Sequence, residues 1–388
     1  MRFCLVGSSP QRGRYCTVDR WYDERRLRYH REKPEARMFY AGVDTHKKYS
    51  RIVVTDSNGA KVAQGTLPNT QDSFKEFFHQ FEEPTRAVLE AGNNWGIIYD
   101  ILEDIGAAPV LANPLKTRAI AEAKIKTDTI DAQTLAALLR ADLIPKVHVP
   151  SQKVRTYKNL LRQRFWLVQL RTRVKNRTHN ILDRNHVTLP QCSDLFGKAG
   201  RQLLDQIPIP EPDSRLLKAN LQLLDYINEQ IRAAEKWTKE ALEGHPGLAV
   251  LRTIPGLGKI LAALVAVEID DISRFSSPEK LCAYAGLVPT TYSSGGKVRH
   301  GNLLPTCNRW LRWAYVEAAW VAQRTSPYCY AYFERIKRRK GANCANTAMA
   351  RRLCEITWHC LTEERSYEER TPVRRESNQP AAFIGSWS

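Results

Sequence analysis

Four acidic residues and two glycine-bearing loops are the parts of this sequence whose residue types and spacing can do chemistry. Lys126-Thr127-Asp128-Thr129-Ile130-Asp131-Ala132 sets two carboxylates three residues apart, just ahead of the apolar run Leu135-Ala136-Ala137-Leu138-Leu139. If that run is helical, Asp128 and Asp131 share one face with Cβ atoms roughly 5–6 Å apart. Acids that close can share a divalent cation, and an all-oxygen donor set suits magnesium. The same residues also suit a plain helix start, with Asp128 as N-cap and Asp131 at the third helical position, both favoured by the helix dipole.

Two more acids stand at the ends of strand-like runs: Asp44 in Gly42-Val43-Asp44-Thr45-His46-Lys47-Lys48, and Glu90 in Val88-Leu89-Glu90-Ala91-Gly92. A carboxylate there projects from the rim of a sheet, where α/β folds place ligands, although solvated acids are common at strand ends as well. Two rim acids and a helical pair supply four oxygen donors. That is enough for a two-metal site, with ions about 3.5–4 Å apart, that stabilises both the attacking and the leaving oxygen at phosphorus.

The loops offer anion contacts. In Tyr292-Ser293-Ser294-Gly295-Gly296-Lys297-Val298-Arg299-His300 the glycines free backbone N–H groups to face an anion, beside Lys297, Arg299 and His300. Ser293 or Ser294 is then a phosphate contact, or a nucleophile if a base or a metal activates it; a simple Ser/Gly hairpin is the alternative. Pro255-Gly256-Leu257-Gly258-Lys259 ahead of an apolar helix is similar to a helix-hairpin-helix, which holds a DNA phosphate on loop amides and a helix N-terminus without reading sequence. A glycine turn explains Gly256, Gly258 and Lys259 nearly as well.

The elements that must position these residues follow from patterning. From Met38 the chain reads as strands over 39–43, 51–55 and 61–66, with Asp56-Ser57-Asn58-Gly59 as a hairpin turn. A helix over 70–81, a strand over 87–89, a helix over 95–105 and a strand over 108–111 come next. Strands followed by strands alternating with helices predict a mixed α/β sheet domain over 38–150, with helices on its faces. Residues 151–245 predict a helical spacer. Its first arm, 153–184, holds ten Lys or Arg, Arg164, Arg171, Arg173, Lys175 and Arg177 among them, against a single acid, Asp183. Apolar residues interleave with the charges as an amphipathic helix requires. So lopsided a face favours contact with a nucleic-acid backbone over a merely solvated one. The second arm, 216–242, is more acidic and predicts an antiparallel partner. Residues 246–361 predict a compact, mostly helical domain, with helices over 260–269, 308–324 and 346–361 and a loop over 286–301. The tail, 362–388, is charged and aperiodic and predicts disorder. Residues 1–37 are arginine-rich and lack periodicity, which makes Met38 the expected natural start and the preceding stretch an upstream read-in or a basic arm.

Composition narrows the partners. At 388 residues the chain can hold two or three domains, and its net charge of +18 favours a polyanion. The longest apolar run, 260–267, falls short of the roughly 20 residues a membrane span needs, and residues 3–6 are too short for the apolar core of a signal peptide. The nine cysteines form no Cys-x-x-Cys pair and fit no zinc template, so buried thiols of a reducing cytoplasm are expected.

Taken together, G-V-D-T-H-K-K, L-E-A-G and K-T-D-T-I-D-A resemble the D-E-D-D signature of transposases of the insertion-sequence-110 type. P-G-L-G-K, A-Y-A-G-L-V-P, Y-S-S-G-G-K and N-R-W-L-R resemble the C-terminal domain of the same family, in order, from about Met38 to Leu361. The resemblance sets aside the N-cap reading of Asp128 and Asp131. It implies a RuvC-like first domain of the RNase-H type, with Asp44, Glu90, Asp128 and Asp131 binding magnesium. It implies a coiled-coil-like spacer that dimerises, and a last domain whose catalytic serine is, by motif position, Ser293. The serine would attack a DNA phosphate to form a transient covalent link, within a tetramer built from two dimers. A structured noncoding RNA from the same element would choose donor and target DNA, and the protein would act on the bacterial nucleoid. One departure stands out: family members often carry a Thr-Lys-x-Gly-Asn run where this chain has Leu303-Leu304-Pro305-Thr306-Cys307-Asn308. A junction-resolving metal nuclease without serine chemistry, and a non-catalytic nucleic-acid scaffold, are the alternatives.

Overall fold

The computed structural model describes residues 38–121, 127–188, 192, 194–294 and 297–369, with the backbone alone at 293, 294, 297, 298 and 300. The extension 1–37 and the tail from 370 onward lie outside the described residues. The chain divides into two compact units between Val149 and Pro150.

The first unit is a five-stranded mixed sheet in the order β3-β2-β1-β4-β5. β1 (Phe39–Thr45), β2 (Tyr49–Thr55) and β3 (Lys61–Pro68) form an antiparallel meander. On the other side of β1, β4 (Thr85–Glu90) and β5 (Ala108–Ala112) run parallel to it. The Asp56 side chain accepts from the N–H groups of Asn58 and Ala60 to close the β2–β3 turn, and Gly59 takes the positive φ there. Helices α1 (Gln71–His79) and α2 (Trp95–Asp104) provide the parallel crossovers and cover one face. Ala41, Val43, Ala87 and Leu89 pack there against Phe74, Phe78, Ile98 and Leu102. A short α3 (Pro114–Ile120) precedes α4 (Asp128–Arg140), which covers the other face through Leu135, Leu138 and Leu139. Burial on both faces explains why β1 and β4 read as continuous apolar runs, whereas the edge strand β3 alternates between exposed and half-buried positions.

Gly42 fixes how closely α4 sits. A Cβ added there would lie 1.8 Å from the carbonyl oxygen of Ala132. The helix backbone therefore rests directly on the central strand, an approach that only glycine permits.

In the second unit, α5 (Gln152–Arg184) and α7 (Asp213–Ala241) form an antiparallel pair. Side-chain contacts run from Arg164–Glu235 through Arg171–Asn228 to Arg184–Asp213, so partner numbers fall along α7 as they rise along α5. The short α6 (Lys198–Gln206) packs near the far end of the pair through Leu204. Leu161 and Phe165 of α5 join a larger core built from α8 (Pro246–Leu251), α9 (Lys259–Ile269), α10 (Pro278–Tyr284), α11 (Arg309–Thr325) and α12 (Pro327–Thr362). From Ala262 to Ile269 every residue of α9 is buried, as its all-round apolar composition requires. Cys282, Cys329, Cys354 and Cys360 are buried thiols as expected, whereas Cys192 and Cys307 are half-buried and Cys344 is exposed.

The structure differs from the sequence expectation at three places in this unit. The stretch expected as a loop over 286–301 contains a two-stranded ribbon, β6 (Pro289–Ser294) and β7 (Lys297–Leu303). The last helix begins at Pro327 rather than near 346 and continues past a break at Gly341, where φ is 80° and ψ 168°. Its first half was hidden because cations fill the stretch. Residues 363–369 fold back: Tyr367 packs against the core and donates its N–H to the Thr253 hydroxyl, and Glu369 accepts from Ser326 Oγ and the Tyr328 N–H.

Candidate metal centre and nucleic-acid contacts

Strand register and helix placement bring the acids to one rim. Val43 pairs with Leu89 in the parallel β1–β4 ladder, so Asp44 and Glu90, the next residues on each strand, leave the sheet side by side. Alternation sets which face they take. Gly42 meets α4 and Val88 belongs to the core under that helix, so Asp44 and Glu90, two residues further along, project on the same side. The N-terminus of α4 arrives over this rim, carrying Asp128 and Asp131 in its first turn.

The cap of α4 is neither acid. Thr127 Oγ1 accepts from the Ile130 N–H at 3.2 Å and the Thr127 carbonyl accepts from the Asp131 N–H at 2.9 Å. The carboxylates of Asp128 and Asp131 are thus not the groups that hold the helix start, which removes the structural role they could have had as caps. Arg51 of β2 ties the same turn to the sheet, donating to Thr129 Oγ1 at 3.1 Å and to Thr66 Oγ1 at 2.8 Å.

His46 completes the group. Its Nε2 lies 3.2 Å from Asp44 Oδ2 and 3.1 Å from Asp128 Oδ2. Both contacts are within ion-pair reach, so one solvent-sealed imidazole nitrogen stands between two carboxylates. Three ligand atoms, one each from Asp44, His46 and Asp128, lie within 4.8 Å of one another, the spacing of groups that can hold a metal ion. The His46 backbone is itself braced: its carbonyl accepts from Asn69 Nδ2 at 2.8 Å and Asn94 Nδ2 at 3.0 Å, and its ring lies 4.7 Å from that of Tyr49. Burial pushes the Asp44 carboxyl above the usual carboxylate range; His46 opposes the shift, and the charges of Asp128 and Asp131 add to it. Asp131 is therefore close enough to be felt at Asp44, while Glu90 is brought to the rim by strand register. Sequence reading did not single out His46, although its position two residues after Asp44 was the available signal.

The second unit holds the other expected residues. Ser293 pairs with Val298 across the β6–β7 ribbon. Its side chain, that of Lys297, and Gly295 and Gly296 lie outside the described residues; Arg299 is exposed on β7. In the glycine loop, Ile254 and Leu257 are buried anchors while Gly258 and Lys259 at the start of α9 are exposed. Gly256 has φ +81°, and a Cβ there would lie 2.1 Å from the Ala318 carbonyl oxygen, so the turn needs glycine twice over.

The basic face of α5 divides by partner. Arg164 is committed to Glu235, with contacts of 3.0 and 2.8 Å, and Arg171 reaches Asn228 Oδ1 at 3.5 Å. Lys175 lies 4.7 Å from the Phe196 ring. Arg173 and Arg177 are exposed, without a carboxylate partner among the described residues.

Comparison with known proteins meets this geometry at both ends of the chain. A family model described as a transposase of the DEDD IS110 type matches residues 41–187, and one described as the transposase IS116/IS110/IS902 family matches residues 248–334. The chain belongs to the IS110 family of transposases. Among its relatives, the insertion element IS110 uncharacterized 43.6 kDa protein of Streptomyces coelicolor is 25% identical over 81% of this chain and 92% of its own length. The transposase for insertion sequence element IS1328 of Yersinia enterocolitica is 28% identical over 61% of this chain and 72% of its own. The transposase for IS1111A of Coxiella burnetii is 24% identical over 72% and 78%. This IS110-type chain is accordingly an insertion-element transposase, its carboxylate cluster is consistent with a divalent metal, and none of its described helices is long and apolar enough to cross a membrane.

Proposed function

We propose that this transposase is a metal-dependent recombinase that cuts and rejoins the ends of its element and a target DNA through a serine–phosphate link. The observation that carries the reading is the rim cluster: ligand atoms of Asp44, His46 and Asp128 lie within 4.8 Å of one another, with the Asp131 charge close by. Such a set gains most from a cation. Asp44, Glu90, Asp128 and Asp131 hold it, magnesium being the ion their oxygens suit, and His46 adds a nitrogen donor that admits softer divalent ions as well. When bound, the ion neutralises charge that develops on phosphate oxygens during transfer.

The strand order β3-β2-β1-β4-β5, with α4 laid on β1, supports a RuvC-like reading of the first unit. In the second, the Ser293 hydroxyl attacks phosphorus and displaces one ester oxygen, leaving the strand attached to the protein; return attack by a strand end releases the serine and reseals DNA. The sharp Gly256 turn and the exposed start of α9 support a helix-hairpin-helix contact through Gly258 and Lys259. Arg173, Arg177 and the ribbon residue Arg299 serve phosphates of DNA and of a structured guide RNA. The α5–α7 pair is the dimerising element of a tetramer that works at the bacterial nucleoid.

Two measurements test the reading. Ser293→Ala is expected to abolish the covalent protein–DNA adduct while metal binding, followed by calorimetry, stays intact. Joined product formed by that variant would replace serine chemistry with that of a metal nuclease. His46→Gln is expected to shift preference from manganese toward magnesium; an unchanged preference would remove His46 from the metal.

A further inference from the structure

We propose a second nucleic-acid site in the C-terminal unit: the cleft between the end of α11 and the first half of α12 takes an unstacked base of a single strand, with the neighbouring phosphates on the cationic end of α12. The proposal rests on the reading that this chain works on nucleic acid; its aromatic part lies within the stretch 248–334 matched by the family model, and its cationic end, from Arg335 to Lys340, lies beyond it.

The cleft is about 710 Å³, a size that suits a small organic group, and its lining includes Trp320, Gln323, Arg324, Tyr330, Phe333 and Lys337. At its base Phe333 is buried, and its ring meets Trp320 at 6.0 Å and 62°. Tyr330 stands 57% exposed at the edge. On α12 the residues Tyr330, Phe333, Lys337 and Lys340 fall at helical spacing along one stripe, aromatic at its start and cationic at its end. Lys337 Nζ lies 5.7 Å from the Phe333 ring centroid. Arg335, Lys337, Arg338, Arg339 and Lys340 are all exposed, and Arg324 joins them from α11.

Folding stability does not account for this grouping. Cations near a helix C-terminus are favoured by the dipole, and the helix does break at Gly341, but that effect is confined to the last turn. It reaches neither Arg324 nor the recessed aromatics. Both carboxylates near the cleft are already engaged, Glu334 by Lys337 at 2.8 Å and Glu369 by Ser326 Oγ and the Tyr328 N–H. Arg324, Arg338, Arg339 and Lys340 have no carboxylate partner among the described residues. Unneutralised cations gathered beside aromatic faces match a polyanion whose bases can stack, and a base enters a recess only from a single strand. An anionic bilayer fits less well, because Phe333, buried at the base of the cleft, cannot insert into it.

The test uses the full chain in chelator, so that the metal cluster is not read, and a ten-nucleotide strand carrying one 2-aminopurine. Wild type is expected to bind and to change the probe's fluorescence. Tyr330→Ala should weaken binding about ten-fold and lose that change, while Tyr330→Phe keeps both. Arg338→Gln with Lys340→Gln should flatten the dependence of log affinity on log salt by about 1.4, or roughly 0.7 per lost contact. Equal binding and fluorescence change with Tyr330→Ala, or a preference for phosphatidylserine vesicles over the strand, would overturn the site. If the strand binds with no regard to Tyr330 or the α12 cations, this site is refuted and the nucleic-acid reading stands. If neither the strand nor a duplex binds, both fall.

Discussion

Each unit of this transposase holds a cluster of charged groups, and the two are built in opposite ways. In the C-terminal unit Glu268 is buried in α9 and surrounded by donors: Lys158 Nζ at 3.2 Å, Arg162 at 3.4 Å and Asn308 Nδ2 at 2.9 Å. Asn308 also caps α11, its Oδ1 accepting from the N–H groups of Trp310 and Leu311. One acid there meets three donors, and it ties α5, α9 and α11 together. At the rim of the first unit the ratio is reversed: Asp44 and Asp128 share one imidazole nitrogen between them, and Asp131 adds further negative charge. A structural cluster closes its own valences; a ligand site leaves them open. Burial separates the two, Glu268 being 3% exposed against 26% for Asp44 and 48% for Asp128, and so does the count of donors against acceptors.

The sharpest way to break this distinction is to remove one acid from each cluster. Asp128→Ala is expected to lower strand cleavage on the order of a thousand-fold, with unchanged circular dichroism and an unchanged melting temperature in chelator, because it relieves like-charge crowding. Loss of folding by that variant would make the rim structural after all. Glu268→Ala is expected to do the reverse, lowering unfolding free energy by about 3 kcal/mol because Lys158 is left buried and unpaired. That is the low end for a broken buried pair, since Arg162 is 46% exposed and can turn to water. Denaturant titration measures it, and a loss below about 0.5 kcal/mol would show that the network does not hold the helices.

Gly42 tests whether placement of α4, rather than the acids alone, makes the rim. Gly42→Ala puts a methyl group into the Ala132 carbonyl, so the helix must shift outward. A destabilisation of about 2 kcal/mol is expected from overpacking. Magnesium stabilisation, read as the rise in melting temperature on adding the ion, should fall along with it. Retention of the full magnesium effect in this variant would mean that the acids find each other without that contact.

The sheet was legible from the sequence because its signals are local. Alternating runs around Asp56-Ser57-Asn58-Gly59 act within a few residues of where they stand. The acids were legible as candidates from their place at strand and helix starts, yet their meeting depends on the parallel pairing of Val43 with Leu89, which joins segments far apart in sequence. His46 was missed because a lone histidine in a turn carries no periodic signal; only the arrival of Asp128 opposite it gives it a role. The first half of α12 was missed for a different reason, since Arg335 to Lys340 break the apolar rhythm on which helix assignment leans. Arg164 illustrates the remaining gap: in sequence it is one of ten cations on a basic arm, in space it belongs to Glu235.

Thr127 offers the smallest and most discriminating change. Its hydroxyl caps the first turn of α4, and it sits one residue before Asp128 without touching the metal-binding atoms. Thr127→Ala leaves the Ile130 N–H without its side-chain acceptor and is expected to cost about 1 kcal/mol of stability, with Thr127→Ser restoring it. The frayed turn carries Asp128, so magnesium affinity should weaken by a few-fold, about what a fraction of that energy allows. Cleavage at saturating magnesium should return to the wild-type rate, because the acids are all present once the ion gathers them. A variant that stays slow at saturating metal would show that the cap places Asp128 for the reaction itself. A variant with normal magnesium affinity would show that Asp128 holds its position through its own contacts, with no help from the helix start.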